Sequence, residues 1–235
     1  MDNLFYAPTI ATFFELPEEE SQHCSRVLRL KKGDIITITD GKGFFYEACL
    51  VNMHPKHCQV TILKYWKQIL LRNYQIHIAV APTKKIERME WFVEKATEIG
   101  VDTITCLLCR HSERNVVKLQ RFNKKAINAM KQSQKAILPI INKMTDFYEF
   151  IGQNNTSIKM IAHCTEDNRP LIQSIYKPDQ DALILIGPEG DFSHEEIKAA
   201  ISAGFTPISL GENRLRTETA ALMACHTIHL INNRM

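Results

Sequence analysis

Three short stretches in the C-terminal third carry residues suited to chemistry rather than to packing. They are Ala162-His163-Cys164-Thr165-Glu166, then Gly187-Pro188-Glu189-Gly190-Asp191-Phe192, then Gly211 through Ala220 with Arg214, Arg216 and Glu218. Each follows an apolar, β-prone run, and in open α/β sheets ligands sit outside the carboxyl ends of strands. Gly187 and Gly190 let the backbone bend and let a ligand approach main-chain groups. The second stretch is neither a Walker loop nor a dinucleotide fingerprint, since it lacks both Gly-Lys-Ser/Thr and Gly-x-Gly-x-x-Gly. On its own it is a turn after a strand. The third stretch sets two arginines and a glutamate between a strand and a helix, a charge load that often marks a site, although exposed charges at a helix entry are also common.

The elements that must position these loops are legible from periodicity. Residues 74–81 read as a strand leading into a helix over 84–99, on which Ile86, Met89, Val93 and Ala96 share a stripe and Gly100 takes the C′ position. A strand at 103–109 precedes a basic helix at about 118–135. Strands follow at 158–162, 182–186 and 206–210, with a helix near Leu171, a Ser193/Glu196 capping box and a last helix at about 217–231. Alternating β and α predicts a mostly parallel sheet with helices on both faces. Residues 1–70 read differently. Ile35–Thr39, the turn Asp40-Gly41-Lys42-Gly43 and Phe44–Val51 form a hairpin, and 58–65 is a third β-rich run, so a small barrel or sandwich is expected there. The expected domains are therefore 1–70 and 71–235.

With 235 residues, 45% hydrophobic and 23% charged, the chain can bury a real core. It shows no apolar run of membrane-spanning length and no basic, apolar leader at its start, and a soluble cytoplasmic protein is expected. The seven cysteines are scattered; Cys106 and Cys109 have no second pair at ligand spacing, so reduced core thiols and no metal are expected. From Arg110 to Lys143 nine Lys or Arg residues face one acid, Glu113. That run is either a phosphate-facing surface or a solvated helix face balanced by acids elsewhere in the fold.

Taken together, Ile184–Ser193 with Glu196, followed by Leu210-Gly211 and Leu215-Arg216-Thr217-Glu218-Thr219-Ala220, resemble the RsmE family. These are 16S ribosomal RNA uridine N3-methyltransferases of the SPOUT superfamily. The resemblance extends to His23–Gly33, Glu90–Gly100 and Phe122–Ile140. Two departures stand out: Lys131-Gln132-Ser133-Gln134-Lys135 replaces the family's Glu-Gln-Ser/Cys-x-Arg, and Asp191 replaces the second glycine after Gly-Pro-Glu.

The resemblance implies an N-terminal PUA-like β-barrel and a C-terminal trefoil-knotted methyltransferase domain that dimerises through the knot. It implies S-adenosylmethionine as the methyl donor, held by His163, Ile186, Gly187, Pro188, Gly190, Leu210, Gly211 and Leu215. Uridine N3 must lose a proton to become nucleophilic. Arg216 is the candidate to hold the charge developing on a uracil oxygen, because its guanidinium offers a planar fork of donors. Glu189 and Glu218 are candidate bases; each also has a plain structural explanation, a turn carboxylate capping the next helix and a first-turn acid on the helix dipole. Arg26, Arg29, Arg110, Lys124, Lys125, Lys131 and Lys135 form the expected set of contacts to ribosomal RNA or the small subunit. His23 has the family position yet equally suits packing, and Tyr65-Trp66 suits either core packing or stacking on a base. Three competing readings are a knotted methyltransferase acting elsewhere on RNA, an inactive RNA-binding assembly factor and a nucleotide-binding oxidoreductase.

Overall fold

The structure is a computed structural model that describes residues 4–70, 72–153, 158–165 and 169–233. The chain forms two compact units, residues 1–70 with 127–138, and residues 71–126 with 139–235.

The first unit is a four-stranded sheet in the order β1 (Leu4–Tyr6), β2 (Ile35–Thr39), β3 (Phe44–Asn52), β4 (Gln59–Lys67), parallel between β1 and β2 and antiparallel after that. A short helix α1 (Glu18–Gln22) runs into a π-helical turn at His23–Val27. The β2–β3 turn forms because Asp40 Oδ1 accepts from the amides of Lys42 (2.7 Å) and Phe44 (3.1 Å), while Gly41 and Gly43 supply φ of 73° and 108°. Phe5, Ile10, Leu16, Cys24, Ile38, Ala48, Leu50 and Cys58 close the core. The expected boundary at residue 70 omits a second piece of this unit. Segment 127–138 joins it because the Gly43 amide donates to Ala136 O (2.8 Å), the Leu138 amide to Gly41 O (2.9 Å) and the Ala136 amide to Gln68 Oε1 (2.7 Å).

The second unit is a six-stranded, wholly parallel sheet. Its strands in chain order are β5 (Ile76–Val80), β6 (Thr103–Leu108), β7 (Ile140–Asp146), β8 (Ile158–Ala162), β9 (Ala182–Ile186) and β10 (Thr206–Ile208). Their order across the sheet is β10-β8-β9-β5-β6-β7. The helices are α2 (Ile86–Ile99), α3 (Leu119–Gln132), whose residues from 127 on belong to the first unit, α4 (Phe147–Gly152), α5 (Ile172–Ile175), α6 (His194–Ser202) and α7 (Thr217–Asn232). Central β9 is buried at every position, as a strand covered on both faces must be. Leu183 and Leu185 pack in one cluster with Phe147 and Phe150 of α4 and Ile197 of α6; the alternating Ile184 and Ile186 face the other side of the sheet, and α7 contacts β5, β9 and α2.

The Ser193/Glu196 capping box starts α6, and Gly100 ends α2 at φ 118°. Strand β7 and helix α4 lie outside the elements that periodicity marks, and the helix near Leu171 is a single turn. Met89, Val93 and Ala96 of the predicted α2 stripe are buried. The expectation of core thiols holds for Cys24, Cys58, Cys106, Cys109 and Cys225 but not for Cys164, which is exposed. Among the described residues, no helix is long and apolar enough to cross a membrane.

Candidate active site

Loops leaving β8, β9 and β10 converge because β8 lies between the other two strands in the sheet. They enclose a cavity of about 310 Å³, at the lower end of the roughly 300–1,000 Å³ usual for small-molecule sites. From the β8 exit come Ala162, His163, Cys164 and Arg169; from β9, Ile186, Gly187, Pro188, Glu189 and Asp191; from β10 to α7, Ile208 to Gly211, Asn213 to Thr217, and Ala220. Walls of Ile186, Leu210 and Leu215 with bare backbone at Gly187 and Gly211 suit a flat, largely uncharged ring system.

The β9 loop is the hub of this site. Thr217 Oγ1 donates to Gly187 O (3.1 Å), joining it to the start of α7. Glu189 Oε1 accepts from the Lys84 amide (3.0 Å) after β5. Asp191 Oδ2 accepts from the Cys164 amide (2.7 Å) after β8, and His111 Nδ1 donates to Asp191 O (3.1 Å) after β6. Gly187 is tightly placed: a Cβ there would lie 3.1 Å from Phe192 Cδ2 and 3.2 Å from its backbone nitrogen, so Phe192 would have to give by a few tenths of an ångström. Gly211 sits at φ 126° with open space around its absent Cβ. His163 is buried, its Nδ1 accepting from the Thr165 amide (3.4 Å).

Of the residues expected in the donor site, the structure brings together His163, Ile186, Gly187, Pro188, Leu210, Gly211 and Leu215, with Arg216 and Glu189 beside them. One expected donor-site member, Gly190, and one candidate base, Glu218, lie elsewhere. Gly190 backs onto His111, so close that a Cβ on the glycine would lie 3.2 Å from His111 Cβ, and it is absent from the cavity lining. Glu218 also lies outside that lining: it is buried with Oε1 3.8 Å from Arg88 Nε, and its Oε2 has no hydrogen-bond partner among the described residues. Sequence reading missed Arg169, Asn213, Arg214 and Asp191 as lining residues. Arg214 carried a signal in its charge within the third loop, and Asp191 in its place within the second.

Four of the nine residues of the basic run are paired with acids from elsewhere in the fold. Arg110 lies 3.8 Å from Glu195, Lys125 3.9 Å from Glu94, Arg121 2.5 Å from Glu90 and Lys131 2.6 Å from Glu20. Lys131 is thereby removed from the set of open phosphate contacts, its side chain only 20% exposed. Arg26, Arg29, Arg110 and Lys124 are exposed, and Lys135 is half-buried. Tyr65 and Trp66 are not core: they are 68% and 41% exposed, Trp66 stacking on Phe45 with 5.6 Å between rings. His23 packs in the first unit, its ring 6.1 Å from that of Phe5.

The chain combines a parallel α/β unit bearing this cavity with a small β-rich unit, and family matches make it an RNA methyltransferase with an attached PUA domain. Residues 71–229 match the RNA methyltransferase domain family, and residues 16–63 match the RNA methyltransferase PUA domain. The chain belongs to the ribosomal RNA small subunit methyltransferase E family. It is 30% identical to ribosomal RNA small subunit methyltransferase E of Buchnera aphidicola subsp. Acyrthosiphon pisum, covering 90% of this chain and 85% of that one. It is similar to the crystal structure of a probable rRNA-methyltransferase from Porphyromonas gingivalis at 44% identity and TM-score 0.94, covering 98% of both chains. It is also similar to a ribosomal RNA small subunit methyltransferase E from Neisseria gonorrhoeae bound to S-adenosyl methionine, at 25% identity and TM-score 0.88, covering 99% of this chain and 98% of that one.

Proposed function

We propose that this chain methylates N3 of a uridine in small-subunit ribosomal RNA, using S-adenosylmethionine held in the cavity at the exits of β8, β9 and β10. The observation that carries the reading is that cavity. The two loops on which the family resemblance rests, separated in sequence, meet around one cavity with apolar walls at Ile186, Leu210 and Leu215 and with Arg216 in its lining. When bound, the donor supplies a methyl group made electrophilic by its sulfonium. Its adenosine part suits Ile186, Leu210 and Leu215 and the backbone of Gly187 and Gly211. The chain's own residues then prepare the nucleophile. N3 gives its proton to a base and uses the freed electron pair to form the new N–CH3 bond, while the sulfur keeps the electrons of the bond it loses. Glu189 is the better-placed base of the two candidates, since it lines the cavity and Glu218 does not. Arg216 holds the negative charge that proton loss spreads onto the uracil oxygens.

The RNA is gripped by Arg26, Arg29, Arg110, Lys124, Lys125 and Lys135, and the first unit is the RNA-binding domain. A second copy joins through a trefoil knot in the second unit, and the enzyme works in the cytoplasm. The test is a methylation assay on unmodified small ribosomal subunits and on their naked RNA, with labelled donor and nucleoside analysis. Label as 3-methyluridine is expected. Label on another nucleoside would keep the donor site and overturn the specificity; no label and no donor binding would overturn the reading.

A further inference from the structure

We propose that Asp191 is a positioning residue that clasps the β8 exit against the β9 loop and so sets the shape of the donor cavity. This rests on the reading of that cavity as the donor site. Asp191 stands where the resembled family has a glycine, and it keeps a glycine-like backbone, φ 63°. Few L-residues enter this region; aspartate does so because its short side chain bonds locally. Here that side chain does more. Oδ1 accepts from the Phe192 amide (2.8 Å), which fixes the rotamer. Oδ2 accepts from the Cys164 amide (2.7 Å) and lies 3.5 Å from Thr165 Oγ1, both on the neighbouring strand's loop. A glycine would relieve the backbone but supply no acceptor, leaving the Cys164 amide at the cavity wall without this partner. Backbone strain retained beside a cavity, and spent on holding a second wall in place, is the pattern of a site residue.

The experiment compares wild type, Asp191→Gly and Asp191→Asn in donor binding by calorimetry, donor KM and kcat, melting temperature and amide exchange at Cys164. Glycine accepts φ 63°, so D191G should melt no lower than wild type. Its donor affinity should fall roughly three- to tenfold, the loss of a hydrogen bond. Its donor KM should rise by a larger factor than kcat falls, and the Cys164 amide should exchange faster. D191N retains an acceptor oxygen and tolerance of positive φ, so it should recover most of the affinity. Unchanged affinity and exchange in D191G would overturn the clasp. So would melting and affinity falling together with no recovery in D191N. Wild type failing to bind donor would overturn the parent reading and this role with it, before any variant is made.

Discussion

The hydroxyl of Thr217 donates to the carbonyl of Gly187 across 3.1 Å, a buried bond that ties the end of β9 to the first residue of α7. It fixes the spacing between the two loops that share the cavity. Thr217→Val keeps the shape and removes the donor, leaving a buried carbonyl unsatisfied at a cost of about 1–3 kcal/mol. Urea unfolding should show that loss, and Thr217→Ser should recover most of it. A T217V protein as stable as wild type would mean that water or a shifted neighbour replaces the hydroxyl.

Arg216 is exposed and lines the cavity at the N-terminal edge of α7. If it stabilises charge only as N3 loses its proton, Arg216→Ala should lower kcat by about a hundredfold or more while leaving donor affinity within about threefold. Calorimetry and single-turnover kinetics separate the two. Loss of donor binding instead would make Arg216 a cavity-wall residue.

The second unit was legible where its strands are apolar: β9 is buried at every position and reads as an unbroken apolar run, and 158–162, interrupted only by Lys159, and 182–186 emerge with the bounds the sequence suggests. Strand β7 was not, since an edge strand carrying Asn142 and Lys143 has no such run. The order in which strands lie side by side depends on crossovers, so composition could not reveal that β8 separates β9 from β10. Asp191 looked like a lost glycine because its partner is a backbone amide 27 residues away. The pairing of four residues in the basic run was hidden for the same reason: Glu20, Glu90, Glu94 and Glu195 come from three other elements.

Lys131 and Arg26 should therefore behave in opposite ways. Removing Lys131 strands Glu20, which is buried with one oxygen already lacking a hydrogen bond among the described residues, so Lys131→Ala should cost roughly 3 kcal/mol. The double change Glu20→Leu with Lys131→Leu should restore much of it. Arg26→Ala should leave the unfolding midpoint in place and reduce the salt dependence of RNA affinity by about one unit of slope. The check is paired chemical denaturation and RNA titration across ionic strengths; a stable K131A with weakened RNA binding would return Lys131 to the interface.

Cys164 is exposed on the cavity wall, whereas Cys24, Cys106 and Cys109 are buried. Burial pushes the Cys24 and Cys106 thiols up to about 12, and Cys109 higher still, with Glu196 and Asp146 adding to it. Since the thiolate is the nucleophile, these three stay inert near pH 8 and iodoacetamide should modify Cys164 well before them. Saturating donor should slow that modification. Mass mapping of the alkylated chain decides it, and equal labelling of Cys106 would mean that β6 opens readily.

His77 links the sheet's stability to pH. Its Nε2 lies 2.8 Å from Thr105 Oγ1, which accepts from Asn142 Nδ2 at 2.9 Å and so has its own proton to donate to the ring. Phe150 meets the ring edge-on at 5.5 Å. Burial lowers the His77 pKa from 6.5 to about 4. The unfolded chain takes up a proton below about 6.5 while the folded chain resists until about 4, so the folded state loses ground as pH falls through that window and gains nothing above it. Urea midpoints at pH 7.5 and pH 5 should differ for wild type. The gap should shrink in His77→Gln, which keeps polar reach toward Thr105 without titrating. If the gap were the same in both proteins, the acid sensitivity would belong to other groups and the ring would be tolerating its charge in place.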